Sequence, residues 1–379
     1  MKRWALASFL LTAATSSLLG KEGAVQTYQV QLNGHTFTLP TESMRAAMAT
    51  AEVGDDVWDE DPTIHRLQQR AAEMVGKKAS LFVPSGTMGN LCALLSHTQP
   101  GQEVILEIDS HIFQNEVAGA SVVGGLQLRP LDTPDGRLQP EQVRHAIRPS
   151  DIHEPATGLL CLENTHNRKG GTCLSPKQTA ALSDIARAGG FPVHLDGARV
   201  FNAAVAQGVD VKDLTGPVDS VMFCLSKGLS APVGSMLAGS RDFIERARRM
   251  RKMLGGGMRQ AGVLAAAGLC ALNELVDRLA EDHANARRLA EGLQGLAGVD
   301  IDLSRVETNM VFGDCRPPLT AAAFIDRCRE AGVLLDQAAP DRWRMVTHRG
   351  VSVEDVDFAV EAVRRLFGAP AAAPLRVAG

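Results

Sequence analysis

The stretch ASLFVPSGTMGNLCALL, residues 79–95, decides the fold class, because a strand pattern turns into a helix pattern within it. Its first five residues form a short apolar run, which is typical of a buried strand. The run breaks at the sequence Pro-Ser-Gly-Thr, and from Leu91 onward the apolar residues resume a helical face. A strand that passes directly into a helix is the repeating unit of a sheet covered by helices.

The same alternation continues on both sides of this stretch. Helical spacing precedes it, at Ile64, Leu67, Ala71, Met74 and Val75. Further candidate strands follow it, at residues 104–108, 159–163, 193–195 and 220–225. Ser175 and Pro176 favour the start of a helix, and Gly189 and Gly190 favour its end. The sequence therefore predicts an α/β fold with a mostly parallel central sheet flanked by helices.

The pattern changes after residue 262. A long helical stretch is predicted from Val263 through the 280s, and a final helix begins at Ser352 and Asp355, a near match to a capping box. Strand-like pieces lie between them, at residues 308–312, 333–335 and 343–346. We interpret this part as a smaller C-terminal α+β domain. The predicted organisation is an N-terminal extension (1–37), a large domain (38–262), a small domain (263–368) and a tail (369–379).

Composition narrows the function classes. The formal net charge of −4 gives no reason to expect nucleic acid or an anionic membrane as partner. Seven scattered cysteines without a CxxC pair indicate reduced thiols rather than disulfides or a zinc site, and no metal is expected. We expect a cytoplasmic protein. The alternative is export, because Lys2 and Arg3 precede an apolar stretch that resembles a signal peptide.

Three short elements carry chemistry, and each follows a predicted strand. Ser85, Gly86 and Thr87 open a helix, where backbone N–H groups bind phosphate. Asp196 stands at a strand's carboxyl end, the edge at which α/β sheets bind ligands. Lys227 follows an apolar strand that shields it from water, which favours the neutral amine that forms imines. A helix start, a loop cap and a solvated lysine are the ordinary explanations when each element is taken alone.

Taken in order, the three elements match the needs of a pyridoxal-phosphate site. Such a site requires a phosphate cradle, an acid beside the pyridine nitrogen, and a lysine that binds the aldehyde. A carboxylate at Asp196 would keep the ring nitrogen protonated, so that the ring accepts electrons from a carbanion. We therefore expect pyridoxal 5'-phosphate as the cofactor.

Longer segments make the chain resemble the low-specificity threonine aldolase family, within the aspartate-aminotransferase fold type of pyridoxal-phosphate enzymes. The resemblance runs from about residue 38 to 367. The segments that carry it are EVGDDVWDEDPT (52–63), FVPSGTMGN (82–90), DSHIF (109–113), LENTHNR (162–168), HLDGARVFNA (194–203), CLSKGLSAPVGS (224–235) and RKMLGGGMRQAGVLAAAG (251–268). The agreement of many long motifs in one order is more specific than any short pattern.

The resemblance implies roles around the cofactor. It implies that Lys227 forms the Schiff base, that Asp196 pairs with the pyridine nitrogen, and that His111 stacks on the ring. It also implies that Gly86 and Thr87, with Ser85, bind the phosphate. A surface or capping histidine is the ordinary alternative for His111.

The resemblance also implies roles around the substrate and between subunits. Arg199 and Arg344 resemble a pair that clamps the substrate carboxylate, a task suited to planar guanidinium groups; an ordinary ion pair is the alternative. His153 resembles the histidine near the β-hydroxyl. Lys252 and Arg259 resemble residues that reach a neighbouring subunit's phosphate, which implies a homodimer or a tetramer with shared sites; a solvated basic face is the alternative.

The chain departs from the family pattern in several places. NGHTFT (33–38) stands where the family has Arg-Ser-Asp-Thr-Val-Thr, so Gly34 replaces a serine expected to hold the carboxylate. Trp58 replaces a tyrosine, Asp59 a glycine, and Glu154 a phenylalanine. One lost hydroxyl bond to a charged group costs about 1.5–3 kcal/mol, so Gly34→Ser is expected to raise kcat/KM about tenfold or more.

Three functions stay open at this stage. The first is retro-aldol cleavage of threonine, allo-threonine or related β-hydroxy amino acids to glycine and an aldehyde. The second is another pyridoxal-phosphate reaction, such as β-elimination or racemisation, because one fold hosts many chemistries. The third is a cofactor-binding paralogue with a weakened substrate site.

Overall fold

The computed structural model describes residues 29–368. The candidate signal peptide and the predicted tail lie outside this range. No helix within residues 29–368 is long and apolar enough to cross a membrane. The strands are β1 (Val30–Gln31), β2 (Ala79–Val83), β3 (Glu103–Glu107), β4 (Gln127–Leu131), β5 (Thr157–Glu163), β6 (Val193–Asp196), β7 (Ser220–Cys224), β8 (Ser235–Gly239), β9 (Val299–Asp300), β10 (Met310–Cys315), β11 (Val333–Leu334), β12 (Asp336–Ala339) and β13 (Arg342–Val346).

Helices cover the sheet and complete the smaller unit. They are α1 (Glu42–Ala49), α2 (Pro62–Met74), α3 (Gly86–His97), α4 (His111–Gln114), α5 (Gly119–Val122), α6 (Pro140–Ala146), α7 (Pro176–Ala188), α8 (Val200–Gln207), α9 (Val211–Thr215), α10 (Arg241–Met253), α11 (Gly262–Glu274), α12 (Leu279–Gly292), α13 (Ala321–Glu330) and α14 (Val353–Phe367).

The large sheet confirms the predicted α/β class. Its seven strands lie in the order β2-β8-β7-β6-β5-β3-β4. Strands β3 to β7 pair in parallel, whereas β8 runs antiparallel to both β2 and β7. The sequence does not predict β8, because its five residues, SMLAG, are few and mostly small. A loop after β7 turns the chain back into this strand, and the same loop carries Lys227.

Local signals fix where several helices begin. The Ser85 side chain accepts a hydrogen bond from the Met88 N–H and so caps α3. Ser175 and Gln178 form a capping box at α7, with Pro176 in the first turn. Ser352 and Asp355 form the predicted capping box at α14. These caps satisfy N–H groups that have no partner within the helix.

One helical prediction is wrong in its length. The stretch from Val263 into the 280s is two helices, α11 and α12, with a break between Leu275 and Arg278. The break contains neither Gly nor Pro, which explains why the pattern hides it. Arg278 donates to Asp282 at 2.7 Å, and this acid in the first turn of α12 favours a new helix start.

Four clusters of buried apolar residues form the core of the described chain. Three of them pack on the central sheet, and the largest of these also contains Ala265, Ala271 and Leu272 of α11. The fourth, the C-terminal core, gathers around the sheet β12-β13-β10-β9. Val30 and Leu32 belong to this C-terminal core, and β1 pairs in parallel with β11. We propose that the large unit extends through α11 and that the segment before residue 34 belongs to the small unit. All seven cysteines are free thiols.

Candidate active site

The carboxyl ends of the parallel strands bring the predicted residues together. Asp196 ends β6 and pairs in register with Glu163, the last residue of β5. His111 begins α4 after β3, and Lys227 lies in the loop after β7. Ligands of α/β folds bind at this edge, because strands that run in parallel all end there.

Asp196 is fixed at both carboxylate oxygens. Its side chain is buried, and Oδ2 accepts a hydrogen bond from Asn90 Nδ2 at 2.9 Å. Oδ1 accepts one from the Ala198 N–H at 3.1 Å. Among the described residues, neutral and backbone donors rather than a cation therefore hold this carboxylate.

A chain of polar side chains continues behind Asn90. Its Oδ1 accepts from His194 Nε2 at 3.1 Å, because both Asn90 N–H groups are used by carboxylates. His194 Nδ1 then accepts the Ser220 hydroxyl at 2.9 Å, and Ser220 Oγ accepts from His97 Nε2 at 2.7 Å. Burial lowers the pKa of His194 to about 4 and that of His97 to about 3, so both rings stay neutral. The chain therefore donates in one direction, towards Asp196.

His111 is locked beside Asp196. Its Nδ1 lies 2.8 Å from Glu116, and its backbone N–H donates to Glu163 at 2.7 Å. One polar atom of each of His111, Glu116 and Asp196 lies within 4.8 Å of the other two. Burial opposes the charged ring, but the hydrogen bond with Glu116 and the charge of Asp196 raise the pKa of His111. The hydrogen bond with Glu116 thus restrains the His111 ring.

The predicted phosphate cradle is the first turn of α3. Ser85 caps this helix, and the N–H groups of Gly86 and Thr87 lie in its first turn, where no intrahelical acceptor exists. A Cβ on Gly86 would lie 3.1 Å from Cys224 Sγ at the end of β7. Glycine therefore lets the helix start approach the strand closely.

Lys227 is held through its backbone in the loop after β7. The residue is half-buried, and its carbonyl oxygen accepts from the Thr38 hydroxyl at 3.1 Å and from the Ser230 N–H at 2.9 Å. Its positive charge acts to lower the pKa of both His111 and His35. The lysine is therefore within electrostatic reach of both histidines.

Arg199 and Arg344 converge on one oxygen atom. Asn167 Oδ1 accepts from Arg199 Nη2 at 3.0 Å and from Arg344 Nη1 at 3.1 Å. Burial, followed by the charge of Arg344, lowers the pKa of Arg199 to about 10, so it remains charged at neutral pH. Arg199 Nε has no partner among residues 29–368. Arg344 Nη2 forms an ion pair with Asp336 at 2.9 Å, so only its Nη1 faces Asn167. Two guanidinium groups that can share an amide oxygen can also share a carboxylate.

His153 is not joined to this cluster. Its side chain is 81% exposed, and its Nδ1 lies 2.7 Å from Asp151. Glu154, at the family's phenylalanine position, forms an ion pair with Arg148 at 2.8 Å. The loop 148–156 therefore presents His153 at the surface of the single chain.

Lys252 and Arg259 also face outward. Lys252 is exposed, and Arg259 pairs with Asp55 at 3.0 Å. Trp58 lies three residues after Asp55 in the sequence and is 72% exposed. The next residue, Asp59, adopts a left-handed φ of 63°. That backbone conformation suits glycine, and Asp is one of the few other residues that tolerate it.

Sequence reasoning gave no role to five residues that complete the site. These are His35, Asn90, Glu116, Glu163 and Asn167. Asn90, Glu163 and Asn167 lie inside the long motif segments, and polar residues within apolar stretches are the signal that could have identified them. Glu116 lies outside those segments, so no pattern in the sequence connects it to Asp196. His35 lies in NGHTFT (33–38), next to Gly34, but a histidine there departs from the family pattern, which therefore gives it no role.

Several known proteins resemble this chain in sequence or in fold. Residues 31–316 match the family model of beta-eliminating lyases. A low-specificity L-threonine aldolase 1 of Arabidopsis thaliana is 45% identical over 342 residues, which cover 89% of this chain and 96% of the relative. A low specificity L-threonine aldolase of Escherichia coli O157:H7 is 46% identical over 328 residues, which cover 86% and 96%. The crystal structure of Leishmania major threonine aldolase superposes with a TM-score of 0.78 at 20% identity, covering 89% of this chain and 99% of that one.

Proposed function

The chain belongs to the low-specificity L-threonine aldolase family, which is pyridoxal-phosphate-dependent, and we propose that it cleaves L-threonine, L-allo-threonine or related β-hydroxy-α-amino acids to glycine and an aldehyde. One observation carries the proposal: Arg199 and Arg344 converge on Asn167 Oδ1, while buried Asp196 ends β6 and Lys227 follows its parallel neighbour β7. An amino acid bound by its carboxylate would therefore place its amine near the lysine.

The donor set fits pyridoxal 5'-phosphate. Asp196 offers a buried carboxylate without a cationic partner, His111 offers a flat ring held by Glu116, and the first turn of α3 offers N–H groups to a phosphate. Lys227 is the lysine that we propose for the aldehyde. When bound, the cofactor supplies the aldehyde that binds the substrate amine and the ring that accepts the electron pair released at Cα.

The arginine pair would choose which bond breaks. A carboxylate held by two guanidinium groups cannot rotate freely, so the remaining bonds at Cα take fixed directions relative to the site. If the Cα–Cβ bond stands perpendicular to the cofactor ring, its cleavage is the favoured reaction. Asn167 and Arg344 line a cavity of about 340 Å³ together with Asp109, Arg168 and Phe312, so there is open space beside Arg344.

The β-hydroxyl proton needs an acceptor, and we propose His153 for this task. The residue lies on a surface loop, so the proposal requires that a second subunit covers loop 148–156 and encloses it. A His153→Asn variant should then lose the pH dependence of kcat while its KM stays within about threefold of the wild type. An unchanged pH profile would assign the proton to another group.

A homo-oligomer with shared sites is the assembly that we propose. Lys252 and Arg259 are both exposed, as residues donated to a neighbouring site would be, although Arg259 also pairs with Asp55. Large apolar side chains are exposed in the same parts of the chain: Val53, Trp58, Met253 and Val263. Light scattering should show a dimer or a tetramer, and an active monomer would contradict the proposal.

Product analysis tests the function. Purified protein with L-threonine should release glycine and acetaldehyde in equal amounts, whereas β-elimination would release a keto acid and ammonia. Borohydride reduction and peptide mapping should label Lys227, and Lys227→Ala should abolish both the label and the glycine. A label on any other lysine would overturn the assignment of the Schiff base.

A further inference from the structure

His35 is a buried histidine with no partner at either ring nitrogen. It is 3% exposed, and neither Nδ1 nor Nε2 makes a hydrogen bond within the described part of the chain. Buried polar side chains are almost always paired in folded proteins, because an unpaired group loses its water without compensation. A histidine that the fold leaves unpaired is therefore a candidate for contact with a ligand.

The chain ties His35 to the reactive lysine. His35 begins a short 3-10 turn, and Thr38, which follows that turn, bonds through one hydroxyl to the His35 carbonyl at 3.1 Å and to the Lys227 carbonyl at 3.1 Å. The residue therefore sits beside the loop that carries Lys227, although the two are distant in sequence.

The groups that face His35 come from several elements. Burial has the largest effect on its pKa, and the charges of Arg199, Lys227, Arg344 and His348 act in the same direction, so the pKa lies well below the usual range. His348 is itself occupied, because its Nε2 bonds the Gln31 carbonyl and its Nδ1 accepts from the Gly350 N–H. His35 is thus a neutral ring with one N–H to offer.

These neighbours select an anionic ligand with several lone pairs. Arg199, Arg344 and the His35 N–H are all donors, and a cation would be repelled by the two guanidinium groups. A carboxylate accepts about four hydrogen bonds at its two oxygens and fits such a set. Both arginines donate to Asn167 Oδ1, which therefore takes the place of one acceptor oxygen of such a ligand. Arg199 Nε has no partner among the described residues.

We propose that His35 donates a hydrogen bond to the substrate's α-carboxylate and so supplies the donor that Gly34, without a side chain, cannot. The inference rests on the proposed function. It assigns a specificity-determining contact to a residue that stands at the family's aspartate position, next to the lost serine. In this chain, the histidine at position 35 would then compensate for the serine that is missing at position 34.

Binding titrations of the holoenzyme test the proposal. Glycine carries the carboxylate, whereas methylamine is the same molecule without it, and both can be followed by the visible absorbance of the cofactor. His35→Leu should raise the Kd of glycine about tenfold or more and leave that of methylamine within about twofold. His35→Asn, which keeps an N–H donor, should lie between wild type and His35→Leu. His145→Leu is the control, since His145 is exposed on α6 and its Nδ1 bonds the Glu141 carbonyl.

Two results of these titrations would overturn the proposal. A glycine Kd within twofold of the wild type in His35→Leu would overturn the proposal, and so would an equal loss for glycine and methylamine, which would indicate a structural role. If His35→Leu fails to fold, His35→Asn and His35→Gln carry the same comparison. A holoenzyme of wild-type sequence that does not bind glycine at all would instead refute the proposed function, and this inference with it.

Discussion

The two ends of the site are built in opposite ways. At the ring-nitrogen end, formed by Asp196, Asn90, Glu116 and His111, hydrogen bonds within the chain pair each buried side-chain atom of the described structure. At the carboxylate end, formed by Arg199, Arg344, Asn167 and His35, the atoms Arg199 Nε, His35 Nδ1 and His35 Nε2 have no partner among the described residues.

At the ring-nitrogen end the chain itself supplies the hydrogen-bond partners, whereas at the carboxylate end some partners have to come from a ligand. A paired network keeps its geometry before any ligand arrives, which suits a charge that must be in place for catalysis. Unpaired donors in a buried site gain most when a ligand binds. We therefore expect changes at the ring-nitrogen end to act on kcat and on stability, and changes at the carboxylate end to act on KM.

Asp196→Asn should have the largest effect. The substitution removes the negative charge but keeps the shape, so the cofactor should bind with its ring nitrogen poorly protonated. We expect kcat for threonine cleavage to fall about 1000-fold, on the order of 4 kcal/mol, with KM within a few-fold. Steady-state kinetics with saturating cofactor measures both parameters.

The control is Asp210→Asn, since Asp210 only caps α9 and Asn caps a helix equally well. Its kinetics should equal those of the wild type. An Asp196→Asn protein that kept more than a tenth of the wild-type kcat would show that the paired end is not where catalysis is most sensitive.

Acid should weaken the fold through the ring-nitrogen end. Burial lowers the pKa of His194 to about 4 in the folded chain, below about 6.5 in the unfolded chain. The unfolded state binds more protons between these values, so stability is complete above pH 6.5 and is lost as the pH falls towards 4. His194 alone should contribute a loss of about 3 kcal/mol over this range.

Urea denaturation at several pH values measures this loss. His194→Asn should remove its part of the pH dependence, although it lowers stability at pH 7. His145→Asn, at an exposed position, is the control and should leave the slope unchanged. Parallel curves for wild type and His194→Asn would contradict the assignment of the acid sensitivity to this buried chain.

Arg344→Gln should act on the opposite end with a smaller effect. Removal of one converging guanidinium group weakens the hold on the carboxylate in the ground state and the transition state alike. KM should therefore rise about 30-fold, on the order of 2 kcal/mol, while kcat stays within about threefold. Kinetics with threonine and a glycine titration should give the same ratio.

Arg342→Gln is the matched control, because Arg342 lies on the same strand and pairs with Asp314 at 2.6 Å, just as Arg344 pairs with Asp336 at 2.9 Å, whereas Arg344 also donates to Asn167. We expect its KM to stay within about twofold of the wild type. If Arg344→Gln lowered kcat and left KM unchanged, the carboxylate end would not be a ground-state binding site.

The ring-nitrogen end is also the easier end to predict from the sequence. Asp196 and Lys227 follow apolar strands, and the rule that ligands bind at strand carboxyl ends predicts that both lie on one edge of the sheet. Asn90 and Glu116 escape prediction because their meeting with Asp196 depends on how α3 and the loop after α4 pack. Strand β8 escapes it because its short run of small residues carries no alternation.

The carboxylate end depends on contacts between distant parts of the chain. Strand β1, just before His35, pairs with β11 of the smaller unit, and Thr38, just after His35, bonds the Lys227 carbonyl; neither contact has a local signature in the sequence.

Helical periodicity likewise could not reveal the break at residues 275–278, since this break depends on packing and on the Arg278–Asp282 pair. Roles for Arg199, Arg344 and His153 came from the resemblance, and their assignment remains a prediction.

Gly34→Ser should have the smallest effect on the kinetics. It tests directly whether the carboxylate end lacks a hydrogen-bond donor. The backbone at Gly34 is extended, with φ of 169°, and a Cβ there would lie 3.5 Å from the Phe37 ring, so serine fits without strain. The sequence alone predicts a gain of about tenfold from the restored hydroxyl. If His35 already fills that role, the gain in the wild-type background should shrink to less than about threefold, whereas in a His35→Leu background, which lacks the ring N–H, the same substitution should recover about tenfold. KM for threonine in the four proteins of this double-mutant cycle measures the coupling. Equal gains in both backgrounds would mean that the two positions act independently, and the carboxylate end would then be short of one donor after all, because His35 would not be replacing the serine.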